Sequence, residues 1–337
     1  ILVFVSVIQV VAAFGLLFVG KDTVWLAFLA QSTISALAAV ISPATEASIP
    51  NIARDNDELA AANSLLGSTW GVMLAVGAAI GGVFASVFGR DAAFIANGVS
   101  FALAAILFSR IKTPMQKDRD VETQRQRIRP IADMREAINH SRKDPVLMAL
   151  IFSKTTFAIG AGVVSQLAVL ASDVFNGGDA ARGLLIGVRG VGTGLGPLIA
   201  MRYTRGQLGK VLLICGFASL AFSGFYLVGA WMPTLWLTAI FVMLAHLGGG
   251  AQWTLSSYGL QLRSPDHIRG RILAGDFALV TLMLSLTSAL AGLVSEIYGV
   301  RQAISGFACA AAIASVIYIR ATKRLRTQLQ QQPDAEL

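Results

Sequence analysis

Ten apolar blocks separated by short polar corners run through the chain, at residues 2–19, 24–48, 60–88, 92–110, 146–170, 183–201, 210–230, 234–260, 270–296 and 301–319. A helix rises about 1.5 Å per residue, so roughly 18 residues or more suffice to cross a hydrocarbon layer of about 30 Å. None of the blocks alternates apolar and polar residues in the manner of a membrane barrel strand. The pattern predicts an all-α polytopic membrane protein with about ten transmembrane helices. Two corners stand out. "IPNIARDNDELAAANSLL" (49–66) and "LRSPDHIRGRILAGD" (262–276) both set charged, Asn- or Pro-marked residues between apolar blocks.

Laying residues 1–110 over 210–319 aligns the blocks and places Arg54 on Arg263, Asp57 on Asp266 and Leu59 on Ile268. The corners resemble each other because the chain repeats one helical unit. Four regions follow: an incomplete N-terminal bundle of four helices (1–110), a cytoplasmic central loop (111–145), a six-helix C-terminal bundle (146–320) and a cytoplasmic tail (321–337). The second copy has two blocks, 146–170 and 183–201, without counterparts in the first. That asymmetry leads to the expectation that two helices of a twelve-helix protein are missing ahead of Ile1. Within the central loop, "RPIADMREAINHSRKDP" aligns Ile131, Met134 and Ile138 on one face of a charged helix. Such a stripe predicts a helix lying on the membrane surface.

Composition agrees: 55% of residues are hydrophobic and 14% charged, against about 25% charged in soluble proteins. The net charge of +8 would suit nucleic acid, but its distribution points elsewhere. Of 27 Lys and Arg, 21 fall at corners and segments on one side, and four (Lys21, Arg90, Arg182, Arg301) on the other. This is the positive-inside bias. It puts both ends of this chain, the central loop and the two quoted corners in the cytoplasm, and leaves nucleic acid without a role. Cys215 and Cys309 lie in apolar blocks, where a thiol behaves as a small hydrophobe. The three histidines are scattered, and neither metal-ligand spacing nor a phosphate-binding loop is present. No metal, no cofactor and no enzymatic chemistry are expected.

Several stretches carry a family resemblance: "SPATEASIPNIARDNDELAAANSLL" (42–66), "GAAIGG" (77–82), "AFIANGVSFALAAILFSRI" (93–111), "IADMREAINHSRKDPVLMALI" (131–151) and "SPDHIRGRI" (264–272). In order and texture they resemble the major facilitator superfamily, particularly its bacterial branch of enterobactin-exporter-like and macrolide-efflux-like proteins. The resemblance implies two pseudo-repeated helix bundles around a central cavity, opened alternately to each side. This chain departs from the family in places. "PLIAMRYTRG" (197–206) keeps Arg202 and Arg205 of a signature loop but has Met201 where an acid belongs. The antiporter-associated glycines survive as Gly77, Gly81 and Gly82, with Ala78 in the proline position.

Candidate residues follow from position and cost. A charge at the centre of a spanning helix costs about 2.5–3.5 kcal/mol, so Lys154 and Arg189 either line a cavity or extend to the membrane surface. His246 is in line with Gly250, Trp253 and Ser257 on one helix face. The resemblance places that helix beside the cavity, making His246, Gln252 and Trp253 substrate-contact candidates. Glu46 and Asp276 are candidates for ion coupling, although a carboxylate at the start of a helix, as Asp276 appears in the block pattern, also suits the helix dipole. Arg54, Asp57, Arg202, Arg269 and Arg271 are candidates for a cytoplasmic gate of ion pairs, and Asp55 with Glu58 has the spacing of a helix cap. Gly77, Gly81, Gly82, Gly192 and Gly196 have spacings that let helices approach closely.

The expected function is export of small amphiphilic molecules of drug or siderophore type by alternating access, driven by protons as an antiporter in the bacterial inner membrane. A lipid bilayer and a small-molecule substrate are the implied partners, and a monomer is the favoured state. Three rivals stay open: an importer on the same fold, a receptor or scaffold without transport, and a polytopic enzyme.

Overall fold

The computed structural model describes residues 2–111, 130–204 and 206–331. Arg205 and residues 112–129 of the central loop, on which part of the sequence reading falls, lie outside the described residues. The chain folds into helices α1 (Leu2–Gly15), α2 (Val24–Ile52), α3 (Asn56–Phe88), α4 (Arg90–Arg110), α5 (Pro130–Lys143) and α6 (Pro145–Ala161). After α6 come a 3-10 segment (Gly162–Gln166), the single turn α7 (Leu167–Val169) and a π turn (Leu170–Val174). There follow α8 (Gly178–Thr204), α9 (Leu208–Gly229), α10 (Leu235–Arg263), α11 (Asp266–Tyr298), α12 (Val300–Ala321) and α13 (Lys323–Gln331). Among the described residues nine helices are long and apolar enough to cross a membrane, and the apolar helix at Leu2–Phe18 is shorter. The protein is all-α and polytopic.

The internal repeat is visible in helix lengths. Helices α2 and α10 each have 29 residues, and α3 and α11 each have 33. Both longer helices end at a glycine in the left-handed region, Gly89 (φ 86°) and Gly299 (φ 94°), before the next helix starts at once. A side chain would be strained there. Gly89 thus corresponds to Gly299, one position beyond the register read from Arg54 and Arg263.

The corners have local causes. Asp55 Oδ1 accepts from Glu58 N at 2.8 Å, and Glu58 Oε2 accepts from Arg54 N at 2.9 Å, so two acids satisfy backbone donors at the start of α3. At the second corner Arg269 donates to Asp266 at 2.9 Å and to the carbonyl of Ser264 at 3.3 Å, closing the α10–α11 connection. Asp144 caps α6 through Val146 N and Leu147 N, and Arg263 at the end of α10 donates to the same carboxylate at 2.7 Å.

Two compact units form: Ile1–Ile52 with Ala79–Gln126, and Ala53–Ala78 with Arg127–Leu337. In the first, α1 packs on α4 and α2. Val5, Gln9 and Ala13, one helical face, are buried there, and Gln9 donates to the carbonyl of Ile34 at 3.3 Å. In the second, α10 is central and packs on α8, α9 and α6. Three consecutive glycines make this possible. A Cβ on Gly248 would overlap the Ala218 carbonyl of α9, one on Gly249 would press on Phe157 and Phe222, and one on Gly250 would overlap Thr193 of α8. The α3 segment in this unit packs as closely: a Cβ on Gly71 would overlap the Gly194 backbone, and one on Gly190 would overlap Ala75.

Helix α5 meets α11 through one residue of its sequence stripe, Met134. Ala137 and Ser141 are buried, Met134 reaches Gly275 of α11, and Ile138 is exposed. Arg271 of α11 pairs with Glu136 at 2.6 Å and Asp133 at 3.3 Å. Met134 and the ion pairs of Arg271 hold the helix against α11. Helix α13 lies against the beginning of α9, near Gly209.

Candidate functional site

On α6, Leu147, Leu150, Lys154, Phe157 and Ala161 recur on one buried face. Lys154 is therefore directed inward, not towards the membrane surface. Its side chain is 3% exposed and its Nζ lies 2.5 Å from Asp276 Oδ2, whose side chain is 2% exposed. Nζ also donates to Ser257 Oγ at 2.9 Å and sits 5.0 Å from the centre of the Trp253 ring. The ammonium thus has a carboxylate, a hydroxyl and an aromatic face from α11 and α10.

Asp276 does not open its helix. Helix α11 begins at Asp266, since "DHIRGRILAG" is helical although polar, and Asp276 stands nearly three turns in. No helix-end dipole offsets its charge there; Lys154 does. Its second oxygen, Oδ1, is buried without a hydrogen-bond partner among the described residues, as is Gln252 Oε1. Gln252, fully buried on α10, donates through Nε2 to Ser153 Oγ at 3.3 Å. Next to this pair, hydroxyls bridge three helices: Thr156 of α6 donates to Ser219 of α9 at 3.0 Å, and Ser315 of α12 donates to the same oxygen at 2.9 Å.

An aromatic run leads from the ion pair to a second polar group. Phe277 and Phe157 stand edge-on to Trp253 at 6.4 Å, and Phe157 lies 4.7 Å from Phe222. Phe222 is edge-on to His246 at 5.5 Å. His246 is buried; its Nε2 is 2.9 Å from the Tyr226 hydroxyl and its Nδ1 3.5 Å from Thr193 Oγ1. Arg189 is one turn before Thr193 on α8, partly buried, with an Nε that has no partner among the described residues.

The structure therefore brings together Lys154, Asp276, Trp253 and Ser257, and places Gln252, His246 and Arg189 around the same bundle core. Glu46 belongs to the first unit, partly buried on α2 between Pro43 and Pro50. The charges considered for a gate engage close partners: Arg54 its own Glu58 at 3.8 Å, Arg269 Asp266, and Arg271 the acids of α5. Asp57 and Arg202 are exposed. Within the second unit, the α3–α10 contact instead carries an uncharged bond, Asn63 Nδ2 to Gln261 Oε1 at 2.7 Å, both residues buried. Gly192 and Gly196 lie at the α8–α10 contact, facing Met243, His246 and Leu247. Among the described residues Gly77 and Gly81 have no atom within 4 Å of a Cβ position, and Gly82 falls among the residues whose surroundings are not described. Gly71, Gly248 and Gly249 were missed as packing positions. The "GGG" run at 248–250 was the available signal.

Over residues 1–336 the sequence matches the family described as transmembrane secretion effector. The chain belongs to that family. Its fold is the major facilitator fold. The human organic anion transporter MFSD10 (TETRAN) superposes with a TM-score of 0.71 at 14% identity, covering 94% of this chain and 76% of that one. The E. coli fucose:proton symporter FucP superposes with a TM-score of 0.63 at 13% identity, covering 96% and 82%. None of the curated proteins is a significant match. The protein is thus a membrane transporter.

Proposed function

We propose that the protein is a secondary active exporter of small amphiphilic molecules, working by alternating access in the bacterial inner membrane with protons as the coupling ion. The observation that carries this reading is the Lys154–Asp276 pair, nearly unexposed and joining α6 to α11 inside a membrane-spanning bundle. Taking either charge into the bilayer core alone would cost about 2.5–3.5 kcal/mol. Together they are tolerated, and the pair becomes a latch: a proton on Asp276, whose Oδ1 has no partner among the described residues, removes the charge that holds Lys154. Trp253 and Phe157 beside it offer an apolar surface for an amphiphile. Each proton moved inward contributes about 2.3 kcal/mol per 100 mV.

The basic corners at Arg54, Arg202, Arg269 and Arg271 and the chain ends lie on the cytoplasmic side in this reading. There the corners and the Asn63–Gln261 bond form the cytoplasmic closure, with the charges acting mainly through the helix ends they hold. The protein works as a monomer. The test is uptake into everted vesicles of three labelled amphiphiles: 1-naphthaleneacetate, 1-naphthaleneacetamide and ethidium. Accumulation of at least one, abolished by a protonophore and by Asp276→Asn, supports the reading. Accumulation only in right-side-out vesicles would make the protein an importer, and flux of none of them in either orientation would reject transport of this class.

A further inference from the structure

Arg189 is an intramembrane charge of the second unit that the latch does not explain. It lies on α8 inside a candidate span and forms no ion pair among the described residues. Tyr226 of α9 and His246 of α10, neither of them an acid, are near enough to interact with its charge. Those two are committed to each other: the Tyr226 hydroxyl is 2.9 Å from His246 Nε2. Thr193, one turn further along α8, takes up Nδ1 of the same ring at 3.5 Å. His246 is fixed in place by close packing, since Gly192 brings the α8 backbone against its Cβ. Arg189 is left with a buried Nε that donates to nothing among the described residues. Phe222 adjoins this group, edge-on to His246 at 5.5 Å and to Tyr226 at 4.8 Å.

A guanidinium is permanently charged, weakly hydrated and shaped as a planar fork that matches a carboxylate, sulfonate or phosphate. Lys154 has its anion within the protein. Arg189, partly buried, has none among the described residues. From this contrast we infer that Arg189 is a specificity-determining residue that binds the anionic head of the transported molecule, whose apolar body rests on Phe222 and the aromatic run beyond it. The substrate class is then an organic anion with an aromatic or otherwise apolar body. This inference rests on the transport reading of the same bundle core and adds the charge of the solute.

The experiment uses the purified full chain in lipid nanodiscs and equilibrium binding of labelled 1-naphthaleneacetate and its uncharged isostere 1-naphthaleneacetamide. The acetate is expected to bind roughly tenfold more tightly, the size of one charge-assisted hydrogen bond. Arg189→Gln should bring the acetate to the level of the acetamide and leave the acetamide unchanged, whereas Arg189→Lys, keeping charge without the fork, should retain part of the preference. Equal binding of the two probes by the natural protein, binding of neither, or a preference that survives Arg189→Gln overturns the inference. Should Arg189→Gln fail to fold, Arg189→Lys decides, and an unchanged preference in it also overturns. Anion-selective binding without flux of any probe would remove the transport reading and leave the anion site; flux indifferent to probe charge and to Arg189 would do the reverse.

Discussion

Replacing Lys154 with Met should destabilise the protein far more than replacing both members of its ion pair. The side chains of Lys154 and Asp276 are 3% and 2% exposed, so solvent screens them little. Removing one partner of such a pair costs about 3–5 kcal/mol, because the other charge is left buried. Lys154→Met also deprives Ser257 Oγ of its donor and Trp253 of the cation over its ring. The double variant Lys154→Met, Asp276→Leu exposes no orphan charge and has side chains of similar volume. It should lie within roughly 1–2 kcal/mol of the natural protein, since apolar replacement of buried pairs is often neutral. A double-mutant cycle of unfolding in mixed detergent micelles measures this directly. If the double variant loses as much as the two single variants added together, the groups act independently and the latch is wrong. If the latch is right, the double variant folds, binds probe and no longer accumulates it against a gradient.

Further outcomes follow from the helix contacts. Gly71→Val should sharply lower the yield of folded protein in detergent, since its Cβ would overlap the Gly194 backbone, whereas Gly77→Ala, with open space around it, should match the natural yield. Asp55→Ala should cost about 1 kcal/mol of stability through loss of the α3 cap, measured by the same unfolding assay. Asn63→Leu and Gln261→Leu should show a coupling of about 0.6 kcal/mol and no more than ~1.7, the range of side-chain hydrogen bonds between membrane helices.

The spanning helices are readable from residue order because a membrane demands long apolar runs and tolerates little else. The helix start at Asn56 is likewise readable, since Asp55 and Glu58 satisfy its donors locally. What connects distant helices is not readable in this way. Lys154 and Asp276 are 122 residues apart, and no periodicity within either helix says which way its face turns. Asp276 looked like the opening residue of a helix because the polar turns before it resemble a loop; they are helical and carry contacts to α5 and the α10–α11 corner. The stripe on α5 has a related limit: Met134 and Ile138 share it, and residue order alone does not say which of them meets α11. Met134 reaches Gly275 while Ile138 is exposed, and the small residues Ala137 and Ser141 are buried, so the buried face is not the most hydrophobic one. Gly71 carries no mark of its partner in a helix where small residues are common, whereas the run at 248–250 was conspicuous and indeed meets three neighbours.

Alternating access requires the Lys154–Asp276 surroundings, closed here, to meet water on each side of the membrane in turn. With Cys215 and Cys309 replaced by Ala, Ser257→Cys puts a thiol beside Lys154 Nζ, and a membrane-impermeant maleimide can be offered to right-side-out or everted vesicles. The labelling rate should rise from one face and fall from the other when a proton gradient is imposed, with Asp276→Asn holding it at one value. A thiol that stays unreactive from both faces with and without the gradient would mean that this core never opens, and that the buried pair is only a structural strut.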